Sequence, residues 1–315
     1  MRGVYLNKVV DTDKRIQSIS NNFGTHYYVD GWNGLDSNDG KSWARAFLTM
    51  EYAFTKITSG DTIHLTGKIT EQIVAPLGVF DITITGNSPG HPRQSTNNGA
   101  QAGYSAYWLY DVDNTVALLT LREQGWRIEN ICFQAPASTA TTAAAILMVR
   151  AETTTYPDPS HVIIKDCYFA GGGNAVIDSG GVGFVTLENN TFYAQTGFSV
   201  QNIAGAGIAA PLMWVIKGNR FLGMTNGIYS AFSHAVITEN VFTDGGTPNT
   251  TVVLNTAALG GGGNNFIIRN YFQTLTANFN TPDIVGNATD VWNNTSIDAT
   301  FTSGGVSGLE TGQPA

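Results

Sequence analysis

Glycoside hydrolysis needs two carboxyl groups at a set separation, one to protonate the leaving oxygen and one to act as base or nucleophile. Asp178, Glu188, Glu239 and Asp244 are the acidic residues of this chain that could supply such a pair. Sequence does not fix which way they face, so no catalytic residue is assigned and these four stand as fallback candidates. Glu129 and Glu188 form a second conceivable pair. Lys165 and Lys217 fall at the equivalent positions around them, which favours a structural row of alternating charge over a catalytic couple. The acidic stretch from Asp30 to Asp39 invites a calcium reading. It fails the EF-hand template, because the fifth position counted from Asp36 is Gly40 and the twelfth is Phe47. Turn formation by Asn, Asp and Gly accounts for it. His64 alternates outward between Ile63 and Leu65 and reads as a surface residue. Gly260 to Gly263 lack the following Lys-Ser/Thr of a phosphate loop. No Ser-His-Asp order or metal-ligand spacing stands out, and neither metal nor cofactor is expected.

The elements that would position these groups repeat along the chain. An aliphatic residue is followed by Asn at the third place and Phe at the fifth: Leu187/Asn190/Phe192, Ile216/Asn219/Phe221, Ile237/Asn240/Phe242 and Ile267/Asn270/Phe272. Ile128/Ile131/Phe133 and Ile164/Cys167/Phe169 keep the apolar ends without the Asn, and Val291/Asn294/Ser296 is a last, degenerate copy. Successive Phe positions lie 36, 23, 29, 21 and 30 residues apart, a period that marks a solenoid whose copies each add one layer. Alternation in a strand points Leu187 inward and Glu188 outward. Asn is expected at the bend because it tolerates unusual backbone angles, and Asn190, Asn219, Asn240 and Asn270 are expected to form a hydrogen-bonded ladder. The residue after each aliphatic start runs Glu129, Lys165, Glu188, Lys217, Thr238, Ile268, so four stacked coils alternate in charge sign. Cys132 lies four residues after Ile128 and Cys167 three after Ile164, so the two thiols point differently and are expected to be free.

This repeat resembles the right-handed parallel β-helix proteins, the fold of pectate lyases and many phage tailspikes. The segment from His26, with its Gly/Asn/Asp turn and Ser59-Gly60-Asp61-Thr62-Ile63, is similar to the opening of such proteins. The implied fold is all-β: a single-stranded right-handed parallel β-helix solenoid with a short N-terminal capping helix. Phe47, Met50, Ala53, Phe54 and Ile57 keep a helical rhythm and place that helix near 47–57. The expected organisation is an N-terminal docking arm at 1–25, an opening strand and capping helix at 26–60, the β-helix at 61–296 and a Gly/Ser/Thr-rich tail at 297–315. A long excursion at 88–115 carries Tyr104, Tyr107, Trp108 and Tyr110, which are expected to contact another subunit or a sugar, with packing back onto their own coil as the competing reading. Two chemistries of such proteins find no match: the acid cluster of a calcium-dependent lyase is missing, and so are the close Asp group and Gly-His-Gly motif of polygalacturonase-like hydrolysis, which Gly90-His91-Pro92 does not supply.

Composition narrows the partners. A net charge of −8 argues against nucleic acid, whose phosphates call for Lys and Arg. The longest apolar run, Ala143 to Val149, is too short to span a bilayer, so no membrane insertion is expected. The first residues lack the apolar core of a secretory signal, which together with the resemblance leads to a virion localisation. The expected function is a non-enzymatic structural component of a phage particle, a capsid-surface decoration or tail-associated β-helix. It would touch other virion proteins through arm and tail, with a homotrimer implied by the resemblance. The alternatives are a tailspike-type protein that binds or cleaves a host surface glycan, by hydrolysis or elimination, and a bacterial surface adhesin.

Overall fold

A computed structural model describes residues 24–87, 106–110, 115–138, 140, 142–150, 159–202, 211–223, 226–230, 232–243, 254–255, 265–273, 284–285, 288–292 and 295–296. The chain is a right-handed parallel β-helix with one short capping helix. Each coil contributes a short strand to each of three parallel sheets, named faces A, B and C. In one coil Thr186–Glu188 lies on face A, Thr191–Tyr193 on face B and Phe198–Asn202 on face C. Face A is in continuous register: Ile63, Ile84, Ile128, Ile164, Leu187, Ile216, Ile237, Ile267 and Val291 stack coil on coil. Every member of that row from Ile63 to Ile267 is fully buried.

On face B the interior row is aromatic. Trp108, Phe133, Phe169, Phe192, Phe221 and Phe242 stack with centroid separations of 5.8, 5.3, 4.9, 4.8 and 4.6 Å. The spacing is that of neighbouring strands, so identical rings one coil apart meet in parallel. Phe272 continues this row by backbone register with Phe242, although its side chain lies outside the described residues.

The Asn ladder forms at the bend between faces A and B. Asn190 Nδ2 donates to Asn219 Oδ1 at 3.0 Å, Asn219 Nδ2 to Asn240 Oδ1 at 3.0 Å, and Asn240 Nδ2 to Asn270 Oδ1 at 2.9 Å. Each Oδ1 also accepts from the backbone N–H of the Asn before it in the ladder. The ladder residues do not themselves take the unusual backbone angle. The left-handed residue is the one before: Asn130, Asp166, Asn189, Gly218, Glu239 and Arg269. A residue whose amide must reach inward to coil carbonyls has to turn into the wall, and its neighbour absorbs the reversal. Cys167 takes the rung above Asn190, its N–H donating to Asn190 Oδ1 at 3.0 Å. Cys132 pairs in register with Tyr168 on face B, and both thiols are free and buried.

Three expectations change. The stack begins earlier than residue 61, because His26–Asp30 pairs in parallel with Thr62 to Thr66 and is itself a rung of face A. The helix is only Met50–Phe54. Thr49 caps it through Oγ1, which accepts from Tyr52 N at 3.1 Å, while Phe47 is committed to an extended bridge with Val29. Phe47, Met50, Ala53, Phe54 and Ile57 are nevertheless all buried and close the N-terminal end of the core. The excursion at 88–115 contains a strand of face B, Ala106–Leu109.

Candidate functional site

The carboxylates are dispersed by the coil geometry. Asp178 ends a strand of face C with its side chain inside the wall. Its oxygens accept from Gly180 N at 2.8 Å, Val182 N at 3.0 Å and Asn202 Nδ2 at 2.9 Å. Burial pushes its carboxyl up to about 6, against the pull of those donors. Glu188 faces outward on face A, so the wall separates the two residues. Glu239 stands on the A-to-B bend, paired with Lys217 at 3.7 Å and Arg269 at 3.0 Å. Asp244 lies outside the described residues. None of the described candidates is brought beside another. Glu129 is held by Arg127 and by Lys165 at 3.5 Å. In the same register Lys165, Glu188 and Lys217 follow in order, as a row of alternating sign predicts.

The acidic loop folds on its own backbone. Asp30 accepts from Trp32 N and Asn33 N, Asp36 from Leu48 N, Thr49 N and Thr49 Oγ1, and Asp39 from Lys41 N and Arg45. Among the described residues, no group of three or more His, Cys, Asp or Glu could hold a metal ion together.

The aromatic excursion is corrected in part. Trp108 is wholly buried, stacks on Phe133 and donates its indole N–H to Glu71 O at 2.7 Å, so it is core and not a contact for a partner. Strand alternation explains this: Tyr107 points outward, where its hydroxyl donates to Gln134, and Trp108 must then point inward. Tyr110 is partly buried against the core. Tyr104 lies outside the described residues, as do the arm at 1–23, Gly90-His91-Pro92, Gly260 to Gly263 and the tail from 297 onward.

Two surface features were not anticipated. At the N-terminal end of face A, the Tyr28 ring stacks on His64 at 4.8 Å and Trp43 meets both edge-on. His26 Nδ1 lies 2.8 Å from His64 Nε2, with centroids 5.1 Å apart and rings only 15° from parallel. Those values describe imidazoles meeting end to end through one shared proton. Partial burial, and then the neighbouring His26, pull His64 below the usual imidazole range. Register pairing of His26–Asp30 with Thr62 to Thr66 builds this patch, and no local motif announces it.

The second feature is the bend from face C into face A. Its stacked residues Asp81, Gly125, His161, Phe184, Met213 and His234 all have positive φ. The A-to-B bend meets the same demand with Asn, Asp and Gly in four of six coils, residues that tolerate left-handed backbone. Phe184 and Met213 do not, yet their side chains stand 44% and 46% exposed. His161 lies flat on Phe184, with centroids 4.8 Å apart and planes at 5°. Strain of this kind concentrates where a surface is used. A signal was available: each of these residues stands three places before the aliphatic start of its repeat.

No family model matches the sequence, and no curated protein matches it. Among solved structures the chain is similar to PfbA, a surface adhesin of Streptococcus pneumoniae, at 14% identity and a TM-score of 0.50, over 76% of this chain and 73% of that one. Pectate lyase Pel9A matches at 15% identity and a TM-score of 0.45, over 86% and 68%. The Dettilon tailspike protein matches at 13% identity and a TM-score of 0.31, over 86% and 66%. Strand order, register and the likeness to the adhesin agree that this chain has the right-handed parallel β-helix fold.

Proposed function

We propose that this protein is a non-enzymatic structural component of a phage particle, a capsid-surface or tail-associated β-helix that works by being held against other subunits. The observation that supports it most is the C-to-A bend, where four successive coils present His161, Phe184, Met213 and His234 on left-handed backbone with exposed side chains. Bulky residues in such positions destabilise the isolated chain and gain a use when covered. The described carboxylates add support, because Asp178 is sealed in the wall and Glu239 is ion-paired at a bend.

A second reading has its own observation. Tyr28, His64 and the 39% exposed Trp43 form an aromatic platform of the kind that stacks on sugar rings, which favours a glycan-binding, tailspike-type or adhesin role. The deciding experiment incubates the purified chain with a panel of host surface polysaccharides and looks for new reducing ends or unsaturated products, alongside mass spectrometry of purified particles. Presence in particles without product release is expected. Oligosaccharide release that disappears on substituting Asp178, Glu188, Glu239 or Asp244 would overturn the structural role and establish the enzyme.

A further inference from the structure

The exposed bend carries Ser-His at both outer coils and a large apolar residue at both inner ones. Along the stack its residues run Ser160-His161, Gly183-Phe184, Leu212-Met213 and Ser233-His234, each dipeptide one coil from the next through backbone hydrogen bonds. Both outer imidazoles sit on their own preceding serine, with Nδ1 to Oγ distances of 3.2 and 2.9 Å. The two inner positions are bulky and apolar. Beside the bend, the first outward column of face A is Ile163, Thr186, Val215 and Val236, in register. The second column is Lys165, Glu188 and Lys217; Thr238 continues it in register but is buried.

We propose that this edge is a homotypic interface in which two copies of the chain lie side by side with antiparallel solenoid axes. This interface rests on the bend being a protein contact and adds the partner, a second copy, and its orientation. A two-fold axis lying in the contact plane, perpendicular to the solenoid axis and level with the gap between the Phe184 and Met213 coils, reverses height and keeps each column facing itself. His161 then meets His234, Phe184 meets Met213, Ile163 meets Val236, and Thr186 meets Val215. The charges follow: Glu188 of each copy faces Lys217 of the other, twice by symmetry. A parallel ring of three or more sets this flank against a different flank of its neighbour, and a parallel two-fold sets each coil against its own height, so the height-reversed pairing belongs to the antiparallel arrangement. Lys217 already reaches Glu239 of its own chain at 3.7 Å, but both side chains are more than a third exposed and that pair is weak.

Counting Arg127 below and Phe266 above, which the same axis brings together, the strip spans six coils. That is about 24 Å long and about 13 Å wide at standard strand spacings, roughly 310 Å² on each copy and below the standard size of specific interfaces, so a weak, concentration-dependent association is expected.

The test is analytical ultracentrifugation of the purified full chain from about 1 to about 100 µM, the range in which so small an interface should dissociate. A concentration-dependent dimer is expected. Phe184→Asn and Met213→Asn put a residue suited to left-handed backbone at each position, so each variant should unfold no more easily than the parent and yet lose the dimer. Glu188→Lys should weaken the dimer by about tenfold or more, and adding Lys217→Glu should restore it. A monomer at the top concentration, a trimer, or a dimer indifferent to both Asn variants overturns the proposal, as does a charge swap that fails to rescue. A chain that stays monomeric but is found in particles overturns the two-fold contact and leaves the particle role standing. A dimer absent from particles does the reverse.

Discussion

Asn219→Ala tests the part of the fold that repeats most strictly. Asn219 is fully buried, and its side chain sits at a crossing of five hydrogen bonds. Oδ1 accepts from Asn190 N at 2.9 Å and Asn190 Nδ2 at 3.0 Å. Nδ2 donates to Leu187 O at 2.9 Å, Lys217 O at 3.1 Å and Asn240 Oδ1 at 3.0 Å. Alanine removes all five. Asn190 Nδ2 keeps Ile164 O, and Asn240 Oδ1 keeps the backbone N–H of residue 219. What is stranded is the Asn190 backbone N–H, which loses the acceptor that held it, and the ladder bond to Leu187 O. A buried donor left unmade costs about 1–3 kcal/mol, and with the lost carbonyl bond the total comes to about 2–5 kcal/mol. Asn189→Ala is the control. It replaces an exposed left-handed residue next door and should cost about 1 kcal/mol from backbone preference alone. Urea unfolding followed by far-ultraviolet circular dichroism measures both variants, and hydrogen exchange at the Asn190 amide reports the stranded donor directly. Equal losses for the two variants, or an Asn190 amide as protected as in the parent, would refute the ladder as a source of stability.

Two further outcomes follow from buried groups. Burial raises Asp178 from 3.8 to about 6, so the folded chain holds this proton more tightly than the unfolded one. Its contribution to stability is therefore full below about pH 4 and is lost as the pH rises through about 6. Asp178→Asn removes that titration, and the stability of the parent minus that of the variant should fall by up to about 3 kcal/mol between those pH values; a flat difference in urea midpoints would show that the carboxyl is not desolvated. Burial also pushes the Cys167 thiol up to about 12 and raises Cys132. At about pH 8 a thiol reagent should label neither cysteine in the folded chain and both in urea, and rapid labelling of the folded chain would place them at the surface.

The fold was legible because a solenoid writes its rule once per coil. Leu187, Asn190 and Phe192 each occupy a fixed place in the wall, and the next coil repeats the demand, so spacing alone located the row of aliphatics, the ladder and the aromatic stack. The charge row was legible for the same reason, since Glu129, Lys165, Glu188 and Lys217 share one offset. What failed were segments read singly. Trp108 reads equally as a partner contact or as core from sequence, because it sits in a long stretch without the repeat, and only the strand at Ala106–Leu109 shows that alternation turns it inward. The helix was overextended because buried positions at helical spacing do not require a helix: Phe47 reaches the core from an extended bridge.

The surface reading failed for a different reason. A repeat analysis follows residues that stay alike from coil to coil, whereas an interface is recorded in residues that are unlike what the backbone asks for. At the third place before each aliphatic start the backbone needs a left-handed residue, and Gly125 supplies one. Phe184 and Met213 occupy the same place against that need, and His161 and His234 flank them. Search for departure from the local rule, taken offset by offset, is thus the complement of search for the rule. In this chain the departures at that offset fall in two successive coils, and at both the misfit is an exposed apolar side chain. Backbone preference alone would choose Asn or Gly at both, so what holds Phe184 and Met213 there has to lie outside the coil that carries them.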